Sequence, residues 1–362
     1  MKKNFDYTLL LITLLLVAVG CTMIFSASGI LAKERFGEST YFLKKEMISA
    51  LLGVGALCLA RVVPPRLLGR MATPMIIGSI LMMGLLFVPS LGTRVGGAVR
   101  WIRLGPLSVQ PSEFAKLALV VFMAQVLARR QEKVGIWVGF VPPLLIAGLL
   151  IGLVLLGKDL GSATVMGATL FIMMFVGGVR PSMLLSELLL AFPALYYLVA
   201  AEPYRRRRIL AFLNPWEHER GAGFQIIQSY IAFHSGGFFG QGLGEGKQKL
   251  FYLPEAHTDF IFSVVGEELG LFGTLIVLSL FLVWLYRSFR IAWRAPDLFT
   301  SYLALGISLL VGIQVIFNVG VVMGLLPTKG LPLPFVSYGG TSLMISLFAV
   351  GLLLNISSRC EG

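Results

Sequence analysis

Charged side chains are scarce in this chain. They make up 13% of its 362 residues, against 57% hydrophobic residues and a mean hydropathy of +0.85. No soluble core hides that much apolar surface, so the composition excludes a soluble globule and describes a polytopic membrane protein. Acidic residues are scarcer than basic ones, 18 against 30, leaving a net charge of +12. In a membrane protein the anionic partners this asks for are lipid phosphates and the cytoplasmic leaflet. With no soluble basic domain, nucleic acid is set aside. Cysteine is nearly absent: Cys21 and Cys58 lie in apolar runs and Cys360 in the tail. None has a partner at metal spacing, and no disulfide framework is implied. Histidine is as rare, and His218, His234 and His257 all fall in one segment, 201–258. Internal repeats and low-complexity segments are lacking too.

What is abundant is long apolar runs. They cover residues 7–27, 46–63, 73–90, 113–128, 138–156, 161–179, 183–200, 260–285, 299–323 and 341–356, which predicts an all-α fold of ten transmembrane helices. Residues 138–179 as one helix would be about 60 Å long, twice the hydrocarbon thickness, so they divide at Gly157, Lys158, Asp159 and Gly161. The first run follows Lys2 and Lys3 and contains AVGC at 18–21, which resembles a lipoprotein box. Its length points instead to an uncleaved first helix. An even number of spans puts both termini on one side, and Lys2 with Lys3 favours the cytoplasm. Basic residues tally slightly against that orientation until the seven in the 201–258 loop are discounted for its length. This loop, between the seventh and eighth runs, is the one large extracytoplasmic segment of a single 1–362 domain. Within it, Phe224 to Phe233 is amphipathic and too short to span, which predicts a helix lying at the interface.

Chemistry-bearing residues cluster at the outer boundary. LPEAHTDF, 253–260, packs Glu255, His257 and Asp259 into five residues at the lip of the eighth run. Ionisable groups at a hydrocarbon boundary suggest chemistry, while the plain reading makes Thr258 or Asp259 a helix N-cap. An extended chain would also turn Glu255, His257 and Asp259 to one side as metal ligands, but no second ligand cluster stands out. Glu267, eight residues on, reads as a structural polar contact between helices. In RWIRLGPLSVQPSEFAK, 100–116, Pro111 and Ser112 start a helix on which Glu113 and Lys116 share a face. In GKDLGSAT, 157–164, Asp159 stands beside Lys158. A local ion pair is the simplest reading of each couple. GQGLGEGKQK faintly resembles a phosphate loop, without the preceding strand or the terminal GK[ST]; backbone near Lys247 and Lys249 offers itself to a diphosphate. TKGLPLPFVSYGGTS, 328–342, has the prolines and glycines of a rigid re-entrant wall, and Gln314 with Asn318, i and i+4, predict interhelical hydrogen bonds.

Taken in order and spacing, GAVRWIRLGPLSVQPSEFAK, KDLGSAT, LPEAHTDFIFSVVGEELG and LLPTKGLPLPFVSYGGTS resemble the SEDS family (shape, elongation, division and sporulation) of bacterial cell-wall polymerases, across essentially the whole chain. EELG at 267–270 and TKGLPLPF at 328–335 are more like its division and sporulation branches than its elongation branch. The resemblance implies a ten-helix inner-membrane glycosyltransferase of the division septum, its active site on the extracytoplasmic side. It would polymerise lipid II into glycan strands beside a class B penicillin-binding protein and other divisome membrane proteins. The motif aspartate carries over to Asp259 as the catalytic residue, and the Arg and Trp of the RW motif to Arg100 and Trp101. A sugar leaving as undecaprenyl pyrophosphate needs cations more than a general acid, so one carboxylate suffices as base on the acceptor 4-hydroxyl. On this reading Arg100, Lys116 and Lys329, or a divalent ion such as Mg2+ or Mn2+, hold the diphosphate. Glu113 and Asp159 orient the cations, and Glu255 and His257 flank the base. No dedicated protein metal site is expected. A lipid II flippase and a non-catalytic divisome scaffold are the competing readings, since broken helices and buried ionisable groups also mark transporters.

Overall fold

The computed structural model describes residues 5–88, 91–95, 98–104, 107–129, 137–200, 202–219, 221, 223–248, 253–254 and 256–360. Its helices are α1 (Tyr7–Phe36), α2 (Tyr41–Val62), α3 (Pro65–Leu85), α4 (Pro111–Arg129), α5 (Trp137–Leu156), α6 (Leu160–Val176), α7 (Pro181–Ala200), α8 (Pro203–Leu213), α9 (Phe224–Gly236), α10 (Ile261–Trp293), α11 (Leu298–Val322) and α12 (Gly340–Ser357). All ten apolar runs are occupied by helices, and α8 and α9 lie between the seventh and the eighth. Among the described residues seven helices are long and apolar enough to cross a membrane; α6 and the apolar part of α7 are shorter. The fold is helical with one departure from an all-α reading. Strands β1 (Gly92–Val95), β2 (Ala98–Leu104) and β3 (Leu107–Val109) form an antiparallel sheet in the order β1-β2-β3, between α3 and α4.

Local chemistry fixes the helix ends. Asp6 accepts from Leu9 N at 2.9 Å to start α1, which stops at Gly37 with φ +75°. Asp297 does the same for α11 through Thr300 N at 3.0 Å. α4 and α11 are buried along most of their length and form the centre of the bundle, whereas α1, α2, α5, α7 and α10 each expose rows of leucine, isoleucine or phenylalanine, as lipid-facing helices do. On the side away from Asp259, Arg287 of α10 pairs with Asp6 at 2.8 Å and Trp284 donates to Thr13 Oγ1 at 3.0 Å, tying α10 to α1.

α10 is not one helix. Gly270 sits at φ +67°, ψ −163°, so the backbone breaks between Leu269 and Leu271. The loop after α9 fills the break: Gly237 O and Phe238 O accept from Leu271 N (2.9 Å) and Phe272 N (3.2 Å), while Gln241 N and Gly242 N donate to the carbonyls of Glu267 and Glu268. A broken helix at membrane depth is stable only where other protein backbone satisfies it, which is what this loop does. The segment 323–339 also enters the bundle. Leu331, Leu333, Phe335 and Val336 are buried, and the Phe335 ring lies 5.7 Å from that of Trp284. The backbone at Phe335 and Val336 packs so closely on α1 that only Gly20 fits there, since a Cβ would lie 2.6 Å from Phe335 O. The re-entrant wall expected of the prolines is therefore present.

Candidate active site

The site begins at the break between α5 and α6. Lys158 takes a left-handed φ of +61°, unusual outside glycine, and turns the chain so that Asp159 caps α6. The Asp159 carboxylate accepts from Ser162 N at 3.2 Å and from Ser112 Oγ at 3.1 Å, fastening the start of α4 to the start of α6. At 3% exposure it is a structural anchor rather than a group open to substrate. Lys158 pairs not with Asp159 but with Glu202, at 3.3 Å. Strand β2 crosses this turn, and Arg100 Nη2 donates to Lys158 O at 2.7 Å. Arg100 Nε is buried without a hydrogen-bond partner among the described residues. Trp101 is half-buried on the same strand, opposite Thr93 of β1.

A cleft of about 220 Å³ opens beside Arg100, and five cations line it: Arg100, Lys158, Arg205, Arg208 and Lys329. Arg205 and Arg208 come from α8, whose RRRR run places them i and i+3 on one face. Arg208 Nη1 donates to Thr328 O at 2.9 Å, docking α8 on the re-entrant segment. In the sequence this run reads only as loop charge; its i, i+3 spacing is the signal that marks one face of a helix. Lys329 donates to Thr164 Oγ1 at 3.1 Å and lies 5.1 Å from the Phe317 ring centre. Burial pushes its pKa down to about 8, because a desolvated ammonium sheds its proton more readily.

Asp259 adjoins this cleft through Gly330. A Cβ on Gly330 would lie 2.9 Å from Asp259 Oδ2 and 3.6 Å from Arg100 Nη1, so carboxylate and guanidinium face the same glycine. Asn318 holds that arrangement from α11: its Nδ2 donates to Asp259 O at 2.9 Å and to Leu331 O at 2.8 Å, joining two loops rather than two helices. Neither Thr258 nor Asp259 is the N-cap of α10. That position is Phe260, which offers no side-chain acceptor, so the capping reading fails.

The remaining expected residues lie elsewhere. Glu113 and Lys116 form a buried ion pair, 2.9 Å apart, in a separate cavity of about 30 Å³ with Gln314 and Ser346. Neither lines the cationic cleft. His257 is buried, its ring 4.7 Å from Phe42 and 5.6 Å from Tyr338, and its carbonyl accepts from Tyr338 N at 3.0 Å. Burial, with Glu46 and Tyr41 nearby, pushes the Tyr338 hydroxyl up to about 12. Glu255 and Lys249 lie outside the described residues, and among those described no three His, Cys, Asp or Glu side chains gather as metal ligands. Among the described residues the hydrogen bonds of Glu267 run to a loop rather than to a neighbouring helix. Its carboxylate accepts from Lys247 N at 2.7 Å and Gln248 N at 3.3 Å, and Glu268 accepts from Gly244 N at 3.1 Å and from Ser26 Oγ. The glycine-rich loop thus wraps two carboxylates of its own chain, and the amides expected to cradle a diphosphate are already engaged.

Comparison with known proteins agrees with this architecture over its whole length. The family profile described as "Cell cycle protein", covering FtsW, RodA and SpoVE, matches residues 7–361. A probable peptidoglycan glycosyltransferase FtsW of Geobacter metallireducens is 49% identical over 361 residues, 99% of this chain and 96% of the relative. Stage V sporulation protein E of Bacillus subtilis is 43% identical, covering 98% of each. Among solved structures, a chain described under "Structural coordination of polymerization and crosslinking by a peptidoglycan synthase complex" superposes with a TM-score of 0.77 at 32% identity, covering 99% of this chain and 98% of that one. The rod shape determining protein RodA of Thermus thermophilus gives 0.73 at 29% identity, with the same coverage. The chain therefore belongs to the FtsW, RodA and SpoVE family.

Proposed function

We propose that this protein polymerises lipid II into β-1,4 glycan during septal cell-wall synthesis, with Asp259 as general base and the cationic cleft as the diphosphate site. The observation that carries the reading is the five-cation cleft sharing Gly330 with Asp259. A lipid-linked disaccharide has an anomeric carbon bonded to a diphosphate, and the cations stabilise that diphosphate as it departs, which removes the need for an acid on the leaving oxygen. Asp259 accepts the proton of the acceptor 4-hydroxyl while its oxygen bonds to the anomeric carbon and the carbon–diphosphate bond breaks. One displacement inverts the α-linked donor into a β-linked product and frees undecaprenyl pyrophosphate. Arg205 and Arg208 take the diphosphate role expected of Lys116, whose ammonium is committed to Glu113. A divalent cation, Mg2+ or Mn2+, would find Asp259 as its carboxylate here and would neutralise diphosphate charge when bound.

In the membrane, α1–α7 and α10–α12 supply ten spans, with α8, a short 3-10 turn at Pro215–His218 and α9 in the extracytoplasmic loop. α9 does not lie free at the interface: Ser229 hydrogen-bonds Ser263 at 2.8 Å and donates to Val322 O, packing α9 on α10 and α11. The cleft then faces outwards in the cytoplasmic membrane, where a class B penicillin-binding protein cross-links the emerging strand and the other divisome membrane proteins assemble. A flippase would use a broken helix to line a transport cavity, whereas the break in α10 is filled by backbone of residues 237–242.

The test is Asp259→Asn, purified in complex with its cognate transpeptidase and supplied with labelled lipid II in proteoliposomes. Glycan formation should fall by about 10²–10⁴-fold while lipid II binding persists. Wild-type polymerisation by the variant, or transbilayer movement of lipid II without polymer by the unsubstituted complex, would overturn the proposal.

A further inference from the structure

A second cationic cavity lies at the far end of the bundle from Asp259. It encloses about 450 Å³ where α2 and α12 end, between Cys58, Arg61, Val62, Asn355, Ser358 and Arg359. Two arginines meet here, and among the described residues no carboxylate pairs with either. The guanidinium of Arg61 lies 4.6 Å from the Phe5 ring centre, and Arg359 is aimed by a 2.9 Å bond from its Nε to Asn355 Oδ1, which leaves its two terminal nitrogens for another acceptor. The last carbonyls of a helix normally repel an anion. Here Asn355 Nδ2 donates to Arg61 O at 2.6 Å and Val63 O at 2.7 Å, so the end of α2 is capped by the same residue that positions Arg359. One wall of the cavity continues along α2 as a lipid-facing strip of Leu51, Gly55, Cys58 and Val62, all exposed and spaced for one helix face.

We infer that this cavity binds the phosphate of an anionic phospholipid, with Arg61 and Arg359 on the headgroup and an acyl chain along the α2 strip. Two arginines with an apolar track match a phospholipid better than a soluble phosphate, which would leave the track unused. Basic pockets between membrane helices on the cytoplasmic side suit such headgroups. Assignment to the cytoplasmic leaflet rests on the topology proposed above, whereas the binding does not depend on the role of Asp259.

Cys58 is a built-in reporter, because it is exposed at the cavity wall. The full-length protein would be reconstituted in nanodiscs of phosphatidylcholine alone or with phosphatidylglycerol or cardiolipin, and alkylation of Cys58 by a neutral maleimide followed by peptide mass spectrometry. Anionic lipid should slow alkylation, and inorganic phosphate added to phosphatidylcholine discs should not. Arg61→Gln with Arg359→Gln should abolish the protection and weaken lipid retention roughly 25-fold, about fivefold for each arginine. Equal alkylation in neutral and anionic discs, or protection that survives in the double variant, overturns the proposal. Protection by inorganic phosphate alone would reassign the cavity to a soluble anion and overturn the lipid assignment. Should the double variant fail to fold, the wild-type lipid dependence and the charge-preserving Arg359→Lys, expected to keep protection, still decide the matter. Glycan synthesis is not the readout, so failure here is distinct from failure of the polymerase assignment.

Discussion

Replacing Gly330 by alanine tests the geometry of the site without touching a charged group. The added Cβ would stand 2.9 Å from Asp259 Oδ2 and 3.6 Å from Arg100 Nη1. Gly330 is not in a left-handed conformation, so alanine brings no backbone strain, and the close neighbour is the tip of a movable side chain. The carboxylate should give way by about 0.5 Å, with a stability change within about 0.5 kcal/mol. Catalysis tolerates such a shift less well. If a 1 Å misplacement costs about 10²-fold in rate, half of that costs about tenfold, or roughly 1.4 kcal/mol of barrier. The assay is initial-rate glycan synthesis from lipid II in the transpeptidase complex, with kcat and KM separated and thermal unfolding measured in parallel. The expected result is a kcat about tenfold lower, an unchanged melting temperature and little change in KM. Wild-type kcat in a folded variant would refute the claim that Asp259 must sit where Gly330 leaves it.

Three other perturbations probe the surroundings. Lys329 is charged below a pKa of about 8 and neutral above it, so kcat/KM should fall as pH rises through about 8, and Lys329→Arg should move that limb to higher pH; a profile indifferent to the substitution would remove Lys329 from the diphosphate site. Arg205→Gln and Arg208→Gln should each raise KM for lipid II about fivefold and flatten its salt dependence, whereas Arg206→Gln and Arg207→Gln, which do not line the cleft, should leave KM unchanged. Gly270→Ala forces a Cβ to 2.7 Å from Phe238 O at φ +67°, and should destabilise the protein by about 2–4 kcal/mol in thermal unfolding; a neutral outcome would mean that the break in α10 is not required.

Which parts of this structure were legible in the sequence follows from the range of the forces involved. Apolar length is a local property, and all ten runs appear as helices, with ends displaced where a cap decides, as at Asp159 or Gly37. The family resemblance implied that Arg100, Lys329 and Asp259 gather with Lys116; the first three do meet around Gly330 and the cleft, while Lys116 lies in a separate cavity. What could not be read depends on partners distant in sequence. Gly270 looks like a tolerated helix glycine until Gly237 and Phe238 supply carbonyl acceptors for the Leu271 and Phe272 amides that the break exposes. The glycine-rich loop looks like a phosphate cradle, and its amides do bind an anion, but that anion is the pair Glu267 and Glu268. Glu113 and Lys116 share a helix face as expected, yet that face turns to α11 and α12. The strands at 92–109 are short and lack clean alternation, so nothing local distinguishes them from a loop.

The cleft draws its charge from segments far apart in the chain: β2, the α5–α6 turn, α8 and the re-entrant segment before α12. On the proposed reading no single motif fixes diphosphate affinity, and its loss should be graded as each cation is removed. The proposed base is different in kind, since Asp259 faces Gly330 together with Arg100, and one residue, Asn318, ties its backbone to the neighbouring loop at Leu331. Electrostatic attraction falls slowly with distance, whereas proton transfer requires hydrogen-bond contact. Substitutions among the cations should consequently show mainly in substrate affinity, and substitutions that shift Asp259 mainly in turnover. That division separates a polymerase from a scaffold or flippase, because neither of those has any reason to distinguish a half-ångström movement of one carboxylate from an equal movement of any other.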